Sequence, residues 1–292
     1  MLSRLDRLQL NFGVLNAVAA LVAGILVFAD AREILGVPLW MKPFKFFVSA
    51  TLMSLTLAYV IPRIEKARKL VRIASIVIVV SLTVELILIT WAAASETTSH
   101  FNVSNPLAIS VWTAMAGFIT AVWVATMILT LMYLRYGIDE GILKRSMVWG
   151  MGISIIGMGV AFLMTGPTSG QLADFQGIAG AHTVGAADGG PGLPLFGWST
   201  VAGDLRIPHF FGLHALQALP LFALVLKSRA SKLSVDLFGI GYLVVIALLT
   251  AQALGGQSIV NTPIWMALVM MAALAAPVVL ALASRREVAR AD

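Results

Sequence analysis

Long apolar runs separated by short gaps dominate this chain, and positive charge occupies alternate gaps. Of the 20 lysines and arginines, all but Arg32, Lys42, Lys45 and Arg206 fall at the N-terminus (Arg4, Arg7), between Arg63 and Arg72, between Arg135 and Arg145, between Lys227 and Lys232, or at the C-terminus (Arg285, Arg286, Arg290). Positive charge close to the ends of membrane helices marks the cytoplasmic side. A span needs about 20 apolar residues. Eight such runs are read, near 11–29, 43–61, 72–94, 106–134, 147–165, 208–226, 237–254 and 262–283. The reading is an all-α polytopic membrane protein of eight transmembrane helices, with both termini cytoplasmic. Trp40, Trp91, Trp198 and Trp265 lie near expected outer boundaries.

Composition closes off the other classes. With 59% hydrophobic and 12% charged residues and a mean hydropathy of +0.93, a 292-residue soluble fold would lack a water-facing surface. The pI near 9.9 is explained by the basic gaps. No basic stripe interleaved with aromatics is present, so no nucleic-acid partner is expected. The chain has no cysteine, which excludes disulfides, thiolate chemistry and iron–sulfur ligation. Arg4 and Arg7 precede an apolar run ending Phe28-Ala29-Asp30-Ala31, the form of a secretory leader with a small-x-small cleavage site. The expectation is a retained first span. Short loops lean toward a bacterial-type inner membrane.

One connection is long. Residues 166–207 are rich in Gly and Pro, with Gly189-Gly190-Pro191-Gly192, yet carry Leu193, Leu195, Phe196 and Trp198. Structureless loops of this length are uncommon without a role. It is expected to fold back as an outer cap, with a short helix around Leu172 to Ala181. A faint repeat also appears. Pro43-Phe44-Lys45-Phe46-Phe47 is echoed by Pro208-His209-Phe210-Phe211, and Asn105-Pro106 by Asn261-Thr262-Pro263, at offsets of 157 to 165 residues. Two four-helix halves, 1–146 and 147–292, follow from this reading. The Gly-rich fifth span (Gly150, Gly152, Gly157, Gly159) and Gly255-Gly256 read as close helix packing.

Ionisable groups inside apolar runs are costly and by default mark function. Glu85 stands alone in Ser81-Leu82-Thr83-Val84-Glu85-Leu86-Ile87, about 13 Å from the outer end of its helix at ~1.5 Å per residue. Such a carboxylate finds a cation, takes a proton, or serves as packing glue. The second cluster is Asp204-Leu205-Arg206-Ile207-Pro208-His209, continuing to His214 and Gln217. Pro208 suits a first helical turn, and Asp204 is a candidate cap. His214 and Gln217 share a face and fall near the depth of Glu85. His209 and His214 lie some 140° apart around a helix, too far to ligate one metal together; His182 or Asp204 would have to complete a metal site. Lys42, Lys45, Arg206 and His209 form a positive outer vestibule, with Lys45 within reach of Glu85.

The leading expectation is a carrier for a small solute, anionic or proton-coupled, using Glu85, His214, Gln217, His209, Arg206, Lys45 and Asp204. The alternatives are an intramembrane oxidoreductase holding haem or quinone through His214 or His209, and a non-catalytic subunit or receptor of a membrane complex. The lipid bilayer and a small solute are the expected partners, with self-association left open. No phosphate-binding loop, H-E-x-x-H or serine elbow is present.

Overall fold

A computed structural model describes residues 5–283. The basic terminal residues Arg4, Arg285, Arg286 and Arg290 lie outside that range. Among the described residues, eight helices are long and apolar enough to cross a membrane. They are α1 (Arg7–Ala29), α2 (Met41–Val60), α3 (Arg68–Ala94), α4 (Pro106–Tyr136), α5 (Gly141–Val160), α7 (Arg206–Leu226), α8 (Lys232–Leu254) and α9 (Ile264–Ala283). α6 (Ser169–Ala173) is one short turn in the long connection. Strands β1 (Glu33–Ile34) and β2 (Val37–Pro38) pair between α1 and α2; β3 (Thr183–Val184) and β4 (Gly203–Asp204) pair between α5 and α7.

The chain marks its own helix starts. Asp6 accepts the Gln9 N–H at 3.0 Å, Asn105 accepts that of Ala108 at 2.9 Å before Pro106, and Ser231 forms a capping box with Ser234. Four spans begin several residues earlier than hydropathy indicates, at Arg7, Arg68, Gly141 and Lys232. At those ends the long basic side chains extend the helix past the apolar run.

Helices pack in the same order twice. α1 lies on α2 and α3 on α4; α5 lies on α7 and α8 on α9. α2 also meets α3, as α7 meets α8, and α1 meets α3, as α5 meets α8. α4 against α5, and α2 against α7, join the two sets. The main core lies among α2, α3, α4, α5 and α7 and includes Leu57, Ile78, Leu129, Tyr133, Met151 and Leu216.

Close packing of α5 on α7 depends on glycine. A methyl at Gly157 would overlap the Gly212 backbone, and one at Gly150 would lie 2.7 Å from the Ala215 carbonyl oxygen. Gly152 and Gly159 face open space, so the sequence reading holds for half of that glycine set. Gly255-Gly256 packs no helix; Gly256 has φ +71° and turns the chain out of α8. The expected helix from Leu172 to Ala181 is replaced by α6, which ends where Asp174 turns extended (φ −140°, ψ 92°); Gly177 (φ +78°) and Gly180 (φ +118°) keep the following backbone out of helical space.

The long connection is tied down by its backbone. Asn102 bridges Ile178, with Val103 N–H donating to Gly177 O and Ala179 N–H to Phe101 O, both at 2.8 Å. Gly192 bridges Ser199, and the Leu205 N–H donates to His182 O at 3.0 Å. The segment thus lies across the helix ends opposite the basic ends.

Candidate functional site

Glu85 is buried within α3, at 3% exposure, and its Oε1 has no hydrogen-bond partner among the described residues. Lys42, in the first turn of α2, is the cation whose charge acts on it. Lys42 is only partly exposed. Its Nζ donates to His100 Nδ1 at 3.2 Å, and the Ser99 hydroxyl donates to the same nitrogen at 3.0 Å. Two donors at Nδ1 make it an acceptor and put the imidazole proton on Nε2. Burial, followed by the charge of Lys42, holds His100 well below the ordinary histidine range, so it stays neutral. Phe46, Phe101 and Trp112 surround its ring.

A second imidazole lies behind Phe101, at 4.9 Å between ring centres. His182 Nδ1–H donates to Asp188 Oδ2 at 2.8 Å; the backbone N–H groups of His182 and Thr183 donate to the same carboxylate at 3.1 and 2.9 Å. Burial alone would raise Asp188, but these donors outweigh it and hold the carboxyl below its usual range. Burial pushes His182 down even against its carboxylate partner. The pair is therefore a neutral imidazole oriented by an anion, with Nε2 as its free acceptor. His209, on α7, donates Nδ1–H to Gly157 O at 2.7 Å, which also leaves Nε2 as the acceptor.

Beside this group sit the other cations. Arg206 binds Asp204 through Nε at 2.9 Å and a terminal nitrogen at 2.5 Å, and donates to Gly197 O at 2.6 Å. Asp204, whose side chain is 0% exposed, also accepts the Ser199 N–H at 2.8 Å. It is not the α7 cap, a position held by Leu205, although it accepts the Arg206 N–H at 3.0 Å. Lys45 turns away from Glu85 and donates to Phe196 O at 3.0 Å. Lys42, Lys45 and Arg206 lie close enough for their charges to act on one another.

His214 belongs to a separate group. Its Nδ1 meets Gln217 Oε1 at 3.2 Å; Gln217 Nε2 reaches across to α2, to Thr56 Oγ1 at 3.1 Å and Leu52 O at 3.3 Å. Phe210 lies on the His214 ring at 4.5 Å. No hydrogen bond or ion pair joins His214 to Glu85. The predicted residues thus divide between an α2–α3 charge site and an α2–α7 polar contact, linked through α2.

His100 and Asp188 were not expected from sequence. Each is a single polar residue in an irregular segment, and its partner becomes apparent only in the fold. Among the described residues, no group of three His, Cys, Asp or Glu side chains is arranged to hold a metal ion. Asp204 in particular is fully engaged. At the basic end, Asp139 accepts from Tyr133 at 2.8 Å and from Tyr59 at 3.4 Å, while the Arg63 guanidinium lies 3.4 Å from the Tyr59 ring centre. A cavity of about 460 Å³ opens beside it, lined by Lys66, Arg135, Tyr136 and Lys144. Compared with protein-family models, curated proteins and solved structures, the chain matches none.

Proposed function

Given eight apolar helices able to span a bilayer, we propose that this integral membrane protein is a carrier for a small anionic solute, coupled to protons. The observation that carries the reading is Glu85, a buried carboxyl with one unbonded oxygen and Lys42 as its cation. Intramembrane charge of this kind marks ion and proton pathways. Protonation of Glu85 would remove a negative charge that acts on Lys42, already bonded to His100, and leave its ammonium to an incoming anion. Lys45, Arg206 and His209 supply the positive mouth that attracts the anion. The basic gaps orient the molecule with that mouth outward, and the segment 166–207 acts as its lid. Short loops favour a bacterial-type inner membrane. The twice-repeated packing order supports two halves, 1–146 and 147–292, that move against each other.

The test is solute uptake into proteoliposomes. Wild-type uptake is expected to rise with an inward proton gradient. Glu85→Gln is expected to keep the gradient-free rate and lose the stimulation. Stimulation that survives in Glu85→Gln removes the coupling role.

A second reading is an intramembrane oxidoreductase holding haem or quinone. It is favoured by His209, whose Nδ1–H is fixed by Gly157 O and whose Nε2 is left for a ligand, as in imidazoles that bind iron. A visible absorption spectrum of the purified protein separates the two. A haem band lost in His209→Ala would replace the carrier reading.

A further inference from the structure

Resting on the carrier reading, we propose that the lid segment Phe196-Gly197-Trp198 occupies the place of the solute, and that the solute class is an aromatic monocarboxylate. Lys45 and Arg206, one from each half, donate to consecutive carbonyl oxygens, those of Phe196 at 3.0 Å and Gly197 at 2.6 Å. Two oxygens held by two cations is the arrangement a carboxylate would take. The Phe196 and Trp198 rings stack at 4.4 Å, and both meet the edge of Phe210 at 5.8 and 5.5 Å. The segment therefore presents an aromatic body on Phe210 and an oxygen pair on the cations.

Charge favours exchange. Arg206 has Asp204 as its counter-ion. Among the described residues the only hydrogen bond of Lys45 runs to a neutral carbonyl, and Lys45 forms no ion pair, the Asp204 charge reaching it only through space. An ammonium that is part-buried against an uncharged acceptor exchanges an ion–dipole bond for an ion pair when an anion replaces that acceptor. The backbone favours exchange as well. Leu195, immediately before the segment, sits at φ +67°, a left-handed conformation that a branched side chain rarely adopts. Displacing the segment would relieve it. The incoming ring would take the shelf on Phe210, beside His214.

The chain has no cysteine, so Val201→Cys, at a residue 58% exposed and three after Trp198, gives a single labelling site. The labelled full-length protein, carrying an environment-sensitive thiol fluorophore, is titrated with benzoate, acetate and the neutral isostere benzamide. Benzoate is expected to give a saturable signal, acetate a signal only at higher concentration, and benzamide none. Lys45→Gln, which removes a charge whose one bond is to the lid, is expected to raise the benzoate half-saturation about tenfold, the loss of one charge-assisted bond. No benzoate response, benzamide equal to benzoate, acetate equal to benzoate, or an unmoved half-saturation in Lys45→Gln overturns the proposal. Benzoate binding without uptake into liposomes removes the carrier reading alone. Proton-stimulated uptake of another solute without a benzoate response removes only the aromatic-carboxylate assignment.

Discussion

Three neutral or anionic groups outside the spans, His100, His182 and Asp188, make the protein acid-sensitive in a defined direction. The folded state lowers both imidazoles from an ordinary value of 6.5. The unfolded chain therefore takes their protons first as pH falls. The stability these groups contribute is present above 6.5 and is lost as pH drops below it. Asp188, held under its ordinary 3.8, adds a contribution present above that value and lost below it. The unfolding temperature in detergent is expected to fall between about pH 7.5 and about pH 5.5, and to fall less steeply in His100→Asn and in His182→Asn. Identical profiles in all three proteins would show that neither imidazole is responsible. Glu85 was readable from sequence because a lone charge in an apolar run has no bland neighbour to explain it. Lys42 was readable only as a vestibule cation, and its pairing with His100 was not, since the two are 58 residues apart in the chain. Helix position alone puts Lys45 in the outer vestibule and within reach of Glu85. Its bond to Phe196 O crosses 151 residues and depends on a loop path that periodicity does not describe.

Among the elements, α5 and α7 have little tolerance for added volume. Their backbones approach so closely at Gly157 and Gly212 that an added methyl has no space, whereas Gly152 on the same helix faces open space. Gly157→Ala is expected to cost about 1–3 kcal/mol of stability, the usual range for overpacking. Gly152→Ala should be neutral to within about 0.5 kcal/mol. Thermal stability by fluorescence-detected size exclusion compares them directly, and equal melting temperatures would mean the two helices shift apart freely. The eight spans were legible because twenty-residue apolar runs allow no other fold in a bilayer. Which glycines pack was not, because the contact face of a helix apolar on all sides leaves no trace in its pattern. The expected helix at Leu172 to Ala181 failed for a local reason: Asp174 turns extended after five helical residues, and left-handed Gly177 and Gly180 keep the chain from resuming the helix.

At the scale of the whole molecule, orientation follows from where the charge lies. Arg63 to Arg72, Arg135 to Arg145 and Lys227 to Lys232 share one end, and the connection bearing Val201 lies at the other. A membrane-impermeant thiol reagent is expected to label Val201→Cys in intact cells, and Ser228→Cys only after permeabilisation. The reverse pattern would invert the topology and place the cationic mouth inside. The repeated pairing of helices was hinted at by Pro-Phe echoes but not fixed by them. Apolar segments resemble one another whatever they touch, and the pairing order appears only in the contacts.

The backbone seam between residues 101–103 and 177–179 sets the mechanics of any such motion. Its hydrogen bonds stitch the connection after α3 to the connection after α5. A rocking movement that leaves these stitches intact must use them as its fulcrum, so the halves swing widest at the far, positively charged rim. For the carrier proposed above, the outer gate would then be a short flap around Phe196 and the inner gate the lever arms of whole helices, two gates of very different inertia.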